Sequence, residues 1–277
     1  MEISFKHMTL SDLNMVLDWA GEEGWNPGLE DAEAFLASDP DGFFLGQADG
    51  KPVASISVAN HSETFSFLGL YICKPEFRGR GIGFALWQHA MQHAGERTVG
   101  LDGVLDQQAN YRKSGFVSAG STLRFEGELI PAHDLEIRRL VSEDIPDLIE
   151  LDTAANGFSK ECFLQNWLEK RKSRLSVVLA PQGRISGFAT IRLCGRGAKI
   201  GPVIAPDENA ALRLIKAAAH AIDQSQIVVD VPETNTALIS GLEQLNMQMT
   251  FQTARMYRGE PCEAGPMLQA VSTLELG

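Results

Sequence analysis

The stretch from Tyr71 to Leu86, YICKPEFRGRGIGFAL, constrains the fold of this chain more than any other. An apolar run from Phe65 to Cys73 ends at Lys74-Pro75. Glycines follow at alternate positions, Gly79, Gly81 and Gly83, and Ile82, Ala85, Leu86 and Ala90 then recur at helical spacing. The pattern predicts a strand, a glycine-rich loop and a helix. Glycines at the mouth of a helix let the backbone approach a ligand closely. The first-turn N–H groups there lack intrahelical partners and lie at the positive end of the helix dipole, so the expected ligand is a phosphate or pyrophosphate. Two familiar phosphate loops are excluded by spelling. GxxxxGK[ST] is absent, and GxGxxG fails because Phe84 and Leu86 stand where its last glycine is required.

The spelling that fits is RxxGxG, read as Arg78, Gly81 and Gly83, which resembles the coenzyme A pyrophosphate loop of the GNAT superfamily of N-acetyltransferases. A second motif agrees with it. Thr98 to Leu101 reads as a strand, Gln107 to Ser114 as a short helix and Gly115-Phe116 as its stop. This resembles the GNAT pattern in which a short helix carries a tyrosine four residues before Gly-Phe, here Tyr111. Upstream, Phe43–Gln47 and Pro52–Ala59 flank the hairpin turn Ala48-Asp49-Gly50-Lys51. Two short helices are expected before it: Leu13, Val16, Leu17 and Ala20 capped by Thr9 or Ser11, then Leu29–Leu36.

The resemblance implies a mixed α/β sheet, with acetyl-CoA as co-substrate. Arg78, Gly79, Arg80, Gly81, Ile82, Gly83 and Phe84 would hold the pyrophosphate, and backbone around Ile72 and Cys73 would polarise the acetyl carbonyl. Tyr111 would protonate the departing thiolate, and Cys73 needs no covalent role in direct transfer within a ternary complex. A lysine-like amine with pKa near 10.4 is neutral in fewer than about one molecule in a thousand at pH 7, so a base or water relay is required. Glu22, Glu23, Glu63 and Asp102 are candidates, with Asp102 favoured by its place at the end of a strand adjoining the motif helix. Trp25 and Asn26, between the first two helices, are expected in the acceptor pocket. The acceptor is expected to be a small amine, with a protein or peptide amine as the alternative. A non-catalytic acyl-CoA sensor is the rival from another class.

Beyond Ile130-Pro131-Ala132 the chain repeats itself. Asp49-Gly50-Lys51 has a counterpart in Gln182-Gly183-Arg184, Pro75 in Pro206, and Gly115-Phe116 in Asn246-Met247, the last two at a common offset of about 131 residues. A period this long implies two copies of one fold, expected at residues 1–130 and 134–277, since solenoid periods are about 20–50 residues. In the second copy Arg78–Gly83 maps onto Asn209–Leu214, which holds no glycine, and Tyr111 maps onto Leu242. That copy is therefore expected to be degenerate and non-catalytic. EGWNPG, GLDGV, KIGPVIA, DVPETN, ARMYRG and TLELG resemble a family of tandem GNAT proteins with a characteristic C-terminal GNAT-like domain.

Charge and cysteine usage narrow the partners. A net charge of −12 argues against nucleic-acid binding, which needs clustered Lys and Arg. Residues 1–130 hold 18 acids and 9 bases, and ten of those acids lie between Asp12 and Asp49 without one base, so a cationic acceptor is expected to dock there. The four cysteines are dispersed with no CxxC, and His89 and His93 lack the Glu of HExxH, so no metal is expected. No apolar run approaches the roughly 18 residues of a membrane span, and MEISFKHMTL lacks a signal-like apolar core, which makes the cytoplasm the expected location.

Overall fold

The computed structural model describes residues 1–277. The first half runs β1 (Ile3–His7), α1 (Leu10–Glu22), α2 (Asp31–Ser38), β2 (Phe43–Ala48), β3 (Lys51–Asn60), β4 (Phe65–Cys73), α3 (Ile82–Ala94), β5 (Thr98–Val104), α4 (Gln108–Lys113) and β6 (Val117–Glu128). The second half repeats that order with β7 (Ile137–Arg139), α5 (Ile145–Asn156), α6 (Glu161–Trp167), β8 (Arg174–Leu179), β9 (Gly187–Leu193), β10 (Ala198–Ile204), α7 (Glu208–Ala221), β11 (Gln226–Pro232), α8 (Thr236–Gln244) and β12 (Gln248–Arg258). It then adds β13 (Leu268–Ala270).

Local chemistry places many of these elements. Thr9 and Asp12 form a capping box that starts α1, with the Asp12 amide on Thr9 Oγ1 at 3.2 Å and the Thr9 amide on Asp12 Oδ2 at 2.9 Å, an arrangement that contributes about 1 kcal/mol. The β2–β3 turn puts Asp49 and Gly50 at φ 48° and 76°, and the equivalent Gln182 and Gly183 sit at 53° and 83°. Gly115 and Asn246, which end α4 and α8, are also left-handed, at 87° and 62°. The repeat is thus visible in backbone conformation at the positions where it shows in sequence.

All thirteen strands join one sheet, in the order β1-β2-β3-β4-β5-β12-β6-β11-β10-β9-β8-β7, with β13 against β10. Only β4–β5 and β10–β11 are parallel. Each half has given its last strand to the other. β12 lies on β5, with Arg255 opposite Asp102, and β6 lies on β11, with Arg124 opposite Asp230. The two exchanged strands pair with each other in the middle. Both opposed pairs are bidentate ion pairs: Arg255 to Asp102 at 2.6 and 3.1 Å, and Arg124 to Asp230 at 2.7 and 2.9 Å.

On one face, α3 and α7 each cover a separate core. On the other, α1 and α2 share a single core of 25 buried residues with α5 and α6, in which Phe35 stacks on Trp167 at 6.2 Å. The halves are therefore welded twice, by strand exchange and by a common core. Asp102→Ala or Asp230→Ala, which strands a buried guanidinium, is expected to lower stability by about 3–5 kcal/mol. Urea unfolding read by far-UV circular dichroism and by tryptophan fluorescence should give one coincident transition for the parent protein. Two resolved transitions would show that the halves melt independently.

Candidate active site

β4 pairs with β5 only from Phe65 to Leu68, and beyond Leu68 the two strands diverge. The cause lies in β4. Its register against β3 slips between Gly69 and Ile72, and Leu70 takes φ +46°, a strained value for a branched residue, with its carbonyl held by Ser55 Oγ at 2.7 Å. Past this bulge one edge of β4 has no partner strand. The resulting V opens into a cavity of about 610 Å³ lined by residues 68–73 of β4 and 101–104 of β5.

The glycine loop forms its mouth. Gly79 and Gly81 adopt φ of 72° and 79°, and a Cβ at either would meet nothing, so the loop faces open space. The amides of residues 79 to 84 donate to no backbone carbonyl, and the helix ladder begins with Ala85 on Gly81. These free N–H groups at the N-terminus of α3 form a cradle for a pyrophosphate. A side chain at Gly83 would press to within 2.9 Å of the Tyr71 hydroxyl. Arg78 holds the Cys73 carbonyl at 2.7 Å and reaches Glu23 at 2.6 Å. Burial raises the Cys73 thiol, opposed by nearby Arg78, which keeps it neutral and unsuited to nucleophilic attack. Of the nine expected cofactor residues, Arg80 alone lies off the cavity wall, resting on the Phe77 ring at 5.4 Å.

Tyr111 lies on α4, 7% exposed, with its ring stacked on Trp87 at 5.7 Å and seated on Gly103, where a Cβ would collide with it. Tyr71 meets the same indole edge-on at 5.3 Å. Burial pushes both phenols up to about 12, with Cys73 adding to the effect at Tyr71 and Tyr71 at Tyr111. Both are thus protonated donors at neutral pH. Tyr71 was not among the residues expected from the sequence, where its only signal is its place two residues before the strand end.

The favoured base is already engaged. The Asp102 carboxylate is fully buried and taken up by Arg255 and by the hydroxyls of Thr122 and Thr253 at 3.0 and 3.2 Å, leaving it a cross-strand staple. Trp25 lines the cavity, and its carbonyl accepts from Lys199 at 2.7 Å. Asn26 does not. Its side chain clamps the main chain of Arg196 at 2.9 and 3.1 Å, beside a separate polar cavity that also contains Asp18 and Glu22. Nor does the acidic segment await a cationic acceptor as a whole. Glu33 pairs with Arg171, Asp31 with Arg192 and Arg174, and Glu30 accepts from Ser173, so much of its charge is met by the second half.

The second half behaves differently at the equivalent places. Asp207 caps α7 with its carboxylate on the Ala210 amide at 2.8 Å, where the first half leaves free amides. β13 lies along β10 beyond its pairing with β11, filling the V that stays open between β4 and β5. Residues 271–277 then run back into the first half. Leu274 and Glu275 line the open cavity, and the Glu275 carbonyl packs against Gly69 so closely that any side chain there would clash. Lys160, fully buried beside Asp152, donates to Ser272 Oγ and the Gly277 carbonyl at 2.8 and 2.7 Å. No group of three His, Cys, Asp or Glu residues is arranged to hold a metal, and no helix is long and apolar enough to cross a membrane.

A bulged, splayed β4–β5 pair with a free-amide cradle at the following helix makes an open cleft suited to a pyrophosphate-bearing ligand, and comparison with known proteins identifies the family. Residues 11–116 match the acetyltransferase (GNAT) family and residues 148–267 the acetyltransferase (GNAT) domain. The holothin acyltransferase of Pseudoalteromonas sp. (strain SANK 73390) is 33% identical over 98% of this chain and 94% of its own length. A putative acetyltransferase from Pyrococcus horikoshii superposes with a TM-score of 0.83 at 20% identity, over 99% and 96% of the two chains. A tandem GNAT protein from the clavulanic acid biosynthesis pathway superposes with a TM-score of 0.64 at 17% identity, over 96% and 99%. The chain belongs to the GNAT acyltransferase family, in its tandem form.

The tail that completes the cavity carries a pH dependence. His61 Nε2 donates to the Leu276 carbonyl at 2.9 Å, and burial, aided by Lys160, pushes its pKa down from 6.5 to about 4. The unfolded chain binds this proton near pH 6.5 and the folded chain only near 4. Stability is therefore full above about 6.5 and falls as pH drops through that window. Urea midpoints measured from pH 7 to 4 should show this loss, and His61→Gln should flatten it; an unchanged slope in the variant would exclude His61 as the cause.

Proposed function

We propose that this protein transfers an acyl group, acetyl in the simplest case, from acyl-CoA to the primary amine of a small molecule. The observation that carries the reading is the single cavity whose wall includes both the free-amide loop and Tyr111. Residues 79–84 and Arg78 would bind the pyrophosphate, and the free edge of β4 at Ile72 and Cys73 would bind the pantetheine and polarise the thioester carbonyl. The thioester supplies an activated acyl carbon with a thiolate leaving group. Tyr111 would donate its proton to the departing sulfur, a role that typically contributes ~10²–10⁴-fold.

The cavity's lining favours a small acceptor over a protein side chain. Besides the glycine loop and the edges of β4 and β5, it draws on Trp25 of the first half, Arg124 of β6, Phe251 and Thr253 of β12, and Leu274 and Glu275 of the tail. The relative named for holothin supports acyl transfer as the reaction. Free-thiol release from acetyl-CoA across a panel of amines, amino acids and peptides tests the reading, and release with peptides alone would reverse the acceptor class.

Coenzyme A is expected to bind once per chain. Titration calorimetry should give one site, abolished by Gly81→Glu, which fills the cradle and adds a negative charge; two equivalent sites would contradict the proposal. Tyr111→Phe should lower turnover at least about tenfold with little change in acetyl-CoA affinity, because the hydroxyl acts in the transition state. With its pKa near 12, Tyr111 stays protonated across the neutral range, so it imposes no alkaline loss of rate below about pH 10. Full activity in the phenylalanine variant, with chemistry rate-limiting, would assign the acid role elsewhere.

A further inference from the structure

Four carboxylates stand on the cavity wall, and three are otherwise engaged or exposed. Glu23 is paired with Arg78, Asp102 with Arg255, and Asp106 sits on the exposed turn before α4. Glu275 differs from all of them. It is 7% exposed, and its carboxylate accepts no hydrogen bond from the chain. The polar atoms sealed away without partners belong to other residues, so this carboxylate opens into the cavity. Its position is held rigidly. The main chain of Glu275 rests on Gly69, one residue before the β4 bulge, and the following residues are tied by His61 to the Leu276 carbonyl and by Lys160 to the Gly277 carbonyl. Arg124 and Lys199 lie within range of its charge but are bonded elsewhere, Arg124 to Asp230 and both to the Trp25 carbonyl.

We propose that Glu275 receives the acceptor: its carboxylate binds the ammonium group of a small primary amine and takes a proton from it, delivering the neutral amine to the thioester carbonyl. This rests on the acyl-transfer reading above. The nitrogen lone pair forms the new C–N bond, and collapse of the tetrahedral intermediate breaks the C–S bond, with its electron pair leaving on sulfur. The nitrogen loses two protons in all. The first passes to Glu275 and on to solvent; the second, released once the C–N bond has formed, leaves by the same route and balances the proton that Tyr111 gives to the thiolate and regains from solvent. The acceptor class that fits is a primary ammonium compound with an apolar body that lies against Trp25 and Phe251. The second half of the chain, which has no open cradle of its own, thereby supplies the acceptor-binding group of the first.

Steady-state kinetics with acetyl-CoA and a panel of primary amines that includes benzylamine and phenethylamine, read as free thiol from pH 6 to 10, tests the assignment. Glu275→Gln is expected to lower kcat/KM for the amine at least about 30-fold at pH 7. Acetyl-CoA affinity by calorimetry should stay within about twofold. The variant's rate should climb with pH towards the amine's own pKa, as solvent supplies the free base that Glu275 no longer makes. Glu275→Asp should fall between the two, which separates lost chemistry from a displaced tail. A Gln variant with the parent's kcat/KM and pH profile would overturn the role of Glu275 while leaving acyl transfer intact. Parent protein that binds acetyl-CoA but transfers to no primary amine would overturn the acceptor assignment, and parent protein that binds no coenzyme A would remove the underlying reading as well.

Discussion

Two cross-strand ion pairs, Asp102–Arg255 and Asp230–Arg124, sit where each half of the chain receives the other's last strand, and the architecture depends on them. Buried pairs of this kind add little net stability over well-packed apolar residues, because desolvation offsets most of the Coulomb gain. Their value is in register. A slip of one residue along β12 would turn Arg255 to the other face of the sheet and leave Asp102 charged, buried and alone. The long sheet ends on two short strands, β1 and β7, of five and three residues, carrying Lys6 on one and Arg138 and Arg139 on the other. Short edges bearing cations resist pairing with further chains.

The same exchange makes the site a joint product of both halves. A first half closed on itself would have no Phe251, Thr253, Leu274 or Glu275 at its cavity. One segment settles the different fates of the two V-shaped openings. As β13 it occupies the gap beside β10, and a few residues later it reaches the base of the gap beside β4 without filling it. The helix ends match this division. Asp207 satisfies an orphan amide of α7, whereas Gly81 has no side chain to satisfy those of α3 and leaves them for a ligand.

What the sequence could disclose was local. Left-handed positions at Asp49-Gly50 and Gly115 follow from turn and cap chemistry within a few residues, and the glycine loop between β4 and α3 follows from spacing alone. The strand exchange was hidden, because a repeat offset says that two copies exist but not which neighbour each final strand chooses. Asp102 shows the consequence. Expected at the end of a strand, it lies inside β5, two residues before the last, and its partner stands 153 residues away, which ties its carboxylate into a cross-strand staple. Glu275 could be noticed only as a lone carboxylate in the small and apolar run VSTLELG, since its burial and its missing partner are properties of the assembled site.

The acidity of the first half presents the remaining physical problem, since a local net charge of −9 should repel a polyanionic cofactor. The fold answers part of it by pairing. Asp31 lies between Arg174 and Arg192, Glu33 meets Arg171 and Asp12 meets Lys6, so some of the segment's charge is offset at short range. At the cavity mouth the exception is Glu23, which holds Arg78 at 2.6 Å. Both side chains of that pair are substantially exposed, and such a pair contributes at most about 1 kcal/mol. A pyrophosphate offers Arg78 two charges in place of one, together with the free amides of residues 79–84. On the acyl-CoA reading, Arg78 would exchange Glu23 for the ligand at small cost, because the incoming phosphates replace the carboxylate's charge.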